Sequence, residues 1–116
     1  MSGNLYKQLI ISNYMTNVVI HWKPLHEARQ RAETKPNKDQ LDEKLISVDE
    51  VIAELVRSDP SVVLWDDPHA PGVAGLFKSG DRVTLYGCLR RFCLEGAYEA
   101  LEAKGVCVEY SPNGCF

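Results

Sequence analysis

Reactive side chains concentrate in the last third of the chain, around one cysteine. Cys93 falls in the first turn of a predicted helix, where unpaired backbone N–H groups and the helix dipole favour a thiolate. Arg90 and Arg91 precede it and add positive charge. Such a thiolate can attack a carbonyl carbon while nearby N–H groups stabilise the oxyanion. The alternative is that Cys93 faces the sheet as a small packing residue.

A second group of polar side chains follows a predicted strand in mid-chain. Asp66, Asp67 and His69 lie in a turn rich in proline and glycine. Two carboxylates and an imidazole could hold Mg²⁺ or Mn²⁺ for phosphoryl chemistry, or Asp66 could act as the base for Cys93. Alternatively, the aspartates cap the turn through bonds from side chain to backbone.

The arginine pair suggests an anion site. Arg90 and Arg91 at a helix start could bind phosphate or carboxylate, and a bound anion would relieve their unfavourable position against the helix dipole. A solvent-facing pair or a salt bridge between subunits is the alternative. A third polar group, His21, Trp22 and Lys23, ends the first predicted strand.

The elements that must position these groups alternate between strand and helix. Runs rich in Val and Ile predict strands at 17–22, 61–65, 82–86 and 106–110. Helical spacing predicts helices at 24–33, from Ser47 to about 57 after a capping-box pattern with Glu50, and from Leu89 to Lys104. This order predicts a small three-layer α/β domain with a mainly parallel sheet of four or five strands flanked by helices.

In such sheets, sites lie beyond the carboxyl ends of the strands, so the three polar groups should converge on one edge. The chain should form a single domain over residues 1–116, of a length that suits one core. Residues 1–16 are expected to be an N-terminal arm or, through the apolar run 9–11, an edge strand. Residues 34–46 are expected to form an exposed polar loop.

Composition excludes several classes of function. The net charge of −3 argues against a general nucleic-acid binder. No apolar run approaches the roughly 20 residues that span a bilayer, and no signal peptide is visible, so a cytoplasmic protein with reduced cysteines is expected. The four cysteines have no spacing typical of a zinc site, and no cofactor is predicted. The small size and the apolar segment 73–77 favour a homodimer.

The cysteine region resembles the nucleophile region of the isochorismatase-like cysteine hydrolases. The resemblance covers about residues 82–110 and rests on a strand, a glycine, a short turn, a cysteine that opens a helix, and a closing glycine, in Gly87-Cys-Leu-Arg-Arg-Phe-Cys93-Leu-Glu-Gly-Ala-Tyr-Glu-Ala-Leu-Glu-Ala-Lys-Gly105. It implies a nucleophilic role for Cys93. The family's aspartate after the first strand has no counterpart here, because Lys23 stands there, and the chain is much shorter than a family member.

Two functions follow as expectations. The first is a thiol-dependent hydrolase-like protein that acts on a small amide or ester, intact or degenerate, with Cys93 as nucleophile and Asp66 as base. The second is a non-catalytic α/β module that binds a small anionic ligand or a protein partner. Arg90 and Arg91, with Asp67 and His69, are the expected ligand-binding residues in either case.

Overall fold

The computed structural model describes residues 15–33 and 43–116. In chain order the elements are β1 (Met15–Ile20), α1 (Trp22–Glu33), α2 (Glu43–Ser58), β2 (Val63–Trp65), a 3₁₀ helix (Ala70–Leu76), β3 (Arg82–Gly87), α3 (Cys93–Ala103) and β4 (Cys107–Cys115). The four described strands form one parallel sheet in the order β2-β1-β3-β4. The predicted small α/β domain is confirmed.

The central strand β1 is buried on both faces of the sheet, as its continuous apolar run predicts. Val18 and Ile20 point into the core beneath α3 and the 3₁₀ helix, whereas Val19 points into the core beneath α1 and α2. All three side chains are fully buried. Helices therefore cover both faces, which makes three layers.

The α3 side of the sheet holds the larger core. Its buried members come from three strands, from α3 and from the 3₁₀ helix, and include Val83, Leu85, Leu94, Ala97 and Leu101. Each fully buried leucine contributes roughly 1.5–3 kcal/mol relative to an exposed one. Val73, in the segment expected to support a dimer, is also fully buried, so this part of the segment is covered within its own chain.

On the opposite face, α2 presents an apolar stripe to the sheet. Leu45, Val48 and Ile52 are buried at the spacing of one helical face. The capping box predicted at Ser47 is wrong, because the helix begins at Glu43 and Ser47 is an exposed residue inside it. Burial of Leu45 explains the earlier start. Residues 43–46 of the expected loop thus belong to α2, while 34–42 lie outside the described residues.

Three other boundaries differ from expectation. Met15 and Thr16, assigned to an N-terminal arm, pair with β3 as part of β1, and the possible edge strand at 9–11 lies outside the described residues. Trp22 begins α1 rather than ending the first strand. Residues 111–115, expected to be a turn, continue β4, where Cys115 pairs with Gly87.

The direction of strand order reverses at β1. The chain passes from β1 to β2 through α1 and α2 on one face, and from β3 to β4 through α3 on the other. The gap between the ends of β1 and β3 is therefore the topological switch point, where ligands bind in open α/β sheets.

None of the described helices combines the length and apolar character needed to cross a membrane.

Gly87 allows β1 and β3 to meet closely at this point. Its φ of +119° lies in the region that favours glycine. A Cβ atom added there would overlap the carbonyl oxygen of Ile20. The same oxygen accepts a hydrogen bond from the Cys88 amide at 3.1 Å, so Gly87 fixes where the chain leaves the sheet.

Replacing Gly87 by alanine should cost more than about 2 kcal/mol of unfolding free energy, because strain adds to the clash with Ile20. Gly80→Ala is the matched control: its φ is +93°, but no atom lies within 4 Å of the added Cβ. That variant should lose only the conformational part, about 1–2 kcal/mol. Urea unfolding measures both, and equal losses would contradict the role given to the close approach.

Candidate functional site

Backbone hydrogen bonds tie three strand ends into one edge. The His21 amide donates to the Trp65 carbonyl oxygen at 2.9 Å, which joins the end of β1 to that of β2. The Cys88 amide joins β3 to β1 through Ile20. His21 itself has a φ of +55°, a left-handed conformation uncommon for residues other than glycine. The predicted convergence of the strand ends is present.

Cys93 is the first residue of α3 and is half-buried. It packs against the core beneath α3, so part of the packing alternative holds. Phe92, at the N-cap, provides no side-chain cap, whereas the Leu89 carbonyl oxygen accepts from the amides of Phe92 and Leu94, both at 3.0 Å. The first turn of a helix carries N–H groups without intrahelical partners, so the Cys93 thiol lies beside groups that can donate hydrogen bonds to an anion.

Cys88 lies deeper at the same edge. Its thiol donates to the His21 carbonyl oxygen at 3.6 Å. Burial raises the pKa of Cys88 to about 11, and electrostatic interactions with nearby Cys93 and Asp66 raise it as well. Cys88 is therefore a neutral thiol at pH 7. Cys93 and Asp66 each raise the pKa of Cys88. No hydrogen bond joins Cys93 to Asp66 within the described part of the chain.

In the aspartate turn, residues 66–69, both carboxylates accept hydrogen bonds from backbone amides. Asp66 accepts from the Lys23 amide at 3.4 Å, and Asp67 accepts from the His69 amide at 2.8 Å. Asp67 thus has the capping role weighed from the sequence, whereas Asp66 bonds to the first turn of α1 and not to its own turn. Both carboxylates and His69 are exposed. Within residues 15–33 and 43–116, no group of three His, Cys, Asp or Glu side chains could hold a metal ion.

Arg90 is held in place from two directions. Its guanidinium carbon lies 5.1 Å from the centre of the Tyr110 ring, and that ring stacks on Tyr98 with centroids 4.8 Å apart. Its amide donates to the Phe116 carbonyl oxygen at 2.9 Å. Burial, and then the charge of Glu95, raise the pKa of Tyr110, so its hydroxyl is neutral at pH 7.

The two arginines lie in the turn before α3, not inside the helix as predicted, because α3 begins at Cys93. Both are exposed. Among the described residues neither forms a salt bridge. Their guanidinium groups are therefore available to an anion or to a partner.

A buried charge cluster between α1 and α2 was not anticipated. Asp49 is fully buried and accepts from Trp22 Nε1 at 2.8 Å and Arg29 at 3.0 Å; His26 Nδ1 lies 2.9 Å away. Burial by itself would raise the pKa of Asp49, but the hydrogen bonds from His26, Trp22 and Arg29 outweigh it and hold that pKa below the usual value. The available signal was the spacing of those three residues along one face of α1.

Comparisons of the chain with protein-family models, with curated proteins and with solved structures found no match. The relationship to isochorismatase-like hydrolases therefore remains a prediction from residues 82–110.

Asp49→Asn should reduce the free energy of unfolding at pH 7 by about 2–4 kcal/mol, because Arg29 then loses a buried counter-charge. The folded-state pKa of Asp49 is depressed below 3.8. Its stabilisation is therefore complete above that pH and is lost as pH falls through the folded-state value. Urea unfolding from pH 7 to 2 should show a shallower acid loss in the variant than in the wild type.

The control is Glu54→Gln, which removes the exposed ion pair with Arg57 and should change stability by less than about 1 kcal/mol at any pH. Parallel pH curves for wild type and Asp49→Asn would show that Asp49 does not carry this acid dependence.

Proposed function

We propose that this protein is a thiol-dependent hydrolase for a small amide or ester, with Cys93 as nucleophile and Asp66 as base. The observation that carries the proposal is that backbone hydrogen bonds join the end of β1 to the ends of β2 and β3, which Asp66 and Cys93 follow in the chain. Both residues therefore belong to the edge that contains the switch point of the sheet, where ligands bind in this architecture, and both raise the pKa of the Cys88 thiol at that edge. The resemblance of residues 82–110 to a cysteine hydrolase supports the same assignment.

In the proposed reaction, Asp66 accepts the proton of the Cys93 thiol, directly or through a water molecule. The sulfur attacks the carbonyl carbon, and the carbonyl π electrons move to oxygen to form an oxyanion. Amide groups of the first turn of α3 stabilise that oxyanion. Collapse expels the amine or alcohol, which takes the proton from Asp66 and leaves a thioester. Water then hydrolyses the thioester and regenerates the thiol.

The remaining residues of the edge have binding roles in this proposal. Arg90 and Arg91 attract an anionic group on the substrate, and Arg90 offers a guanidinium already oriented by Tyr110. Asp67 and His69 shape the turn that carries Asp66, since the Asp67 carboxylate caps the His69 amide.

A second candidate is a binding module without catalysis. It is favoured by the absence of any hydrogen bond from an acid or imidazole to Cys93 in the described part of the chain. In that case the exposed arginines are the functional groups, and the ligand is a small anion or a protein carboxylate.

Homodimer formation and a cytoplasmic location are also part of the proposal. The chain has 116 residues, and small protomers often complete a site across an interface. All four cysteines are free, as expected in a reducing compartment.

A p-nitrophenyl ester of a small carboxylic acid should acylate Cys93 and release a burst of one nitrophenolate per chain. Cys93→Ala should abolish the burst, whereas Cys107→Ala, which removes an exposed thiol elsewhere, should preserve it. Asp66→Asn should slow acylation by about 10²-fold, because the general base is lost. Stopped-flow absorbance gives the rates, and intact mass gives the adduct.

A burst that survives in Cys93→Ala would overturn the assignment of the nucleophile. No burst in the wild type, together with a rise in Tm on adding phosphate that disappears in Arg90→Ala/Arg91→Ala, would replace the hydrolase by the binding module.

A further inference from the structure

The turn before α3 exposes apolar side chains next to two arginines that form no salt bridge within the described part of the chain. Phe92 is 70% exposed and Leu89 is 45% exposed, while most large apolar side chains of the described residues are buried or half-buried. Arg90 and Arg91 stand between them. Aromatic and arginine side chains together are typical of the energetic centres of protein interfaces.

The solvent face of α3 carries the opposite charge. Glu95, Glu99 and Glu102 recur at helical spacing, and all three are exposed. Among the described residues none of them forms a salt bridge. The positive charges lie before the first residue of α3 and the negative charges lie along the helix, so this surface is bipolar.

A bipolar helix surface is complementary to itself under a two-fold rotation. Two such helices placed antiparallel bring the amino-terminal end of each beside the body of the other, and a two-fold interface uses the same patch on both copies. The 11 residues of α3 rise about 1.5 Å each, or about 16 Å in total. Arg90 and Arg91 of one copy can therefore face Glu95 and Glu99 of the other.

We infer that a second copy of this chain docks on this α3 surface, defined by Leu89 to Phe92, Glu95 and Glu99. Phe92 of each copy packs near the two-fold axis, and two sets of arginine–glutamate pairs flank it. The inference deepens the homodimer proposed above by naming its surface, and it does not depend on the thiol chemistry.

Charge favours a second copy over an unrelated partner. The arginines are complementary to carboxylates beside an apolar contact, and this chain supplies both at the start of α3, with Glu95 only three residues beyond Phe92. In the dimer a glutamate of the other protomer is the anion at Arg90 and Arg91, and it takes the place of the substrate anion proposed above. Because Cys93 follows Phe92 directly, each candidate thiol lies beside the interface.

A charge exchange tests the surface. Analytical ultracentrifugation should find the wild type dimeric, with a dissociation constant that rises with salt. Arg90→Glu/Arg91→Glu and, separately, Glu95→Arg/Glu99→Arg should each raise Kd by about 10²-fold, because like charges then face each other. An equimolar mixture of the two variants should form a heterodimer at a concentration at which each variant alone stays monomeric. Phe92→Ser should also raise Kd, by at least about tenfold.

The control is Glu54→Arg/Arg57→Glu, which reverses an exposed pair on α2 and should leave the dimer unchanged. Circular dichroism must show each variant folded; if Arg90→Glu/Arg91→Glu fails to fold, Arg91→Glu replaces it in the mixture. A monomeric wild type would overturn both the homodimer and this surface. A dimer that tolerates both reversals, or a mixture that stays monomeric, would overturn the surface alone. The ester burst is a separate readout in every case.

Discussion

The close approach of β1 and β3 at Gly87 is the constraint on which the candidate site depends. Only a residue without a Cβ can lie against the Ile20 carbonyl oxygen with a positive φ. From that point the chain must turn through Cys88 before α3 begins at Cys93. The point from which the chain leads to the Cys93 thiol is thus fixed by backbone packing in the centre of the sheet.

The ends of β1 and β2 are held by several hydrogen bonds. The His21 amide donates a hydrogen bond to the end of β2. The Asp66 and Asp67 carboxylates accept hydrogen bonds from the amides of Lys23 and His69. On the face covered by α1 and α2, the buried carboxylate of Asp49 joins the two helices through hydrogen bonds to partly exposed partners on α1. A buried carboxylate is tolerated only when its hydrogen bonds are complete, so this network constrains how the two helices pack.

Periodicity predicted most of the fold because the relevant patterns are local. The β-branched run at Val18–Ile20 and the apolar stripe of α2 each follow from short-range spacing. The start of α2 was missed because burial of Leu45 is a tertiary fact that overrides a plausible cap at Ser47. The end of β4 was missed because Pro112 and Gly114 indicate a turn, whereas Cys115 still pairs with Gly87.

For the site, the sequence predicted which polar groups follow the carboxyl ends of the strands, since parallel topology alone places them at that edge. It could not predict which of them are already engaged. Stacking of Arg90 on Tyr110 joins residues from distant parts of the chain, as does the Asp49 network between α1 and α2. Such contacts depend on how helices pack against the sheet, and the spacing of residues along the chain indicates them only weakly.

We propose that Cys93 is the reactive thiol of this edge, and the rate at which iodoacetamide alkylates it measures that reactivity. Peptide mass spectrometry after timed iodoacetamide treatment at pH 7 resolves all four thiols in one experiment. If Cys93 is the nucleophile, this half-buried thiol should react well ahead of the more exposed Cys107, and buried Cys88, with a pKa of about 11, should react last. Slow and uniform labelling of Cys93 and Cys107 would contradict it.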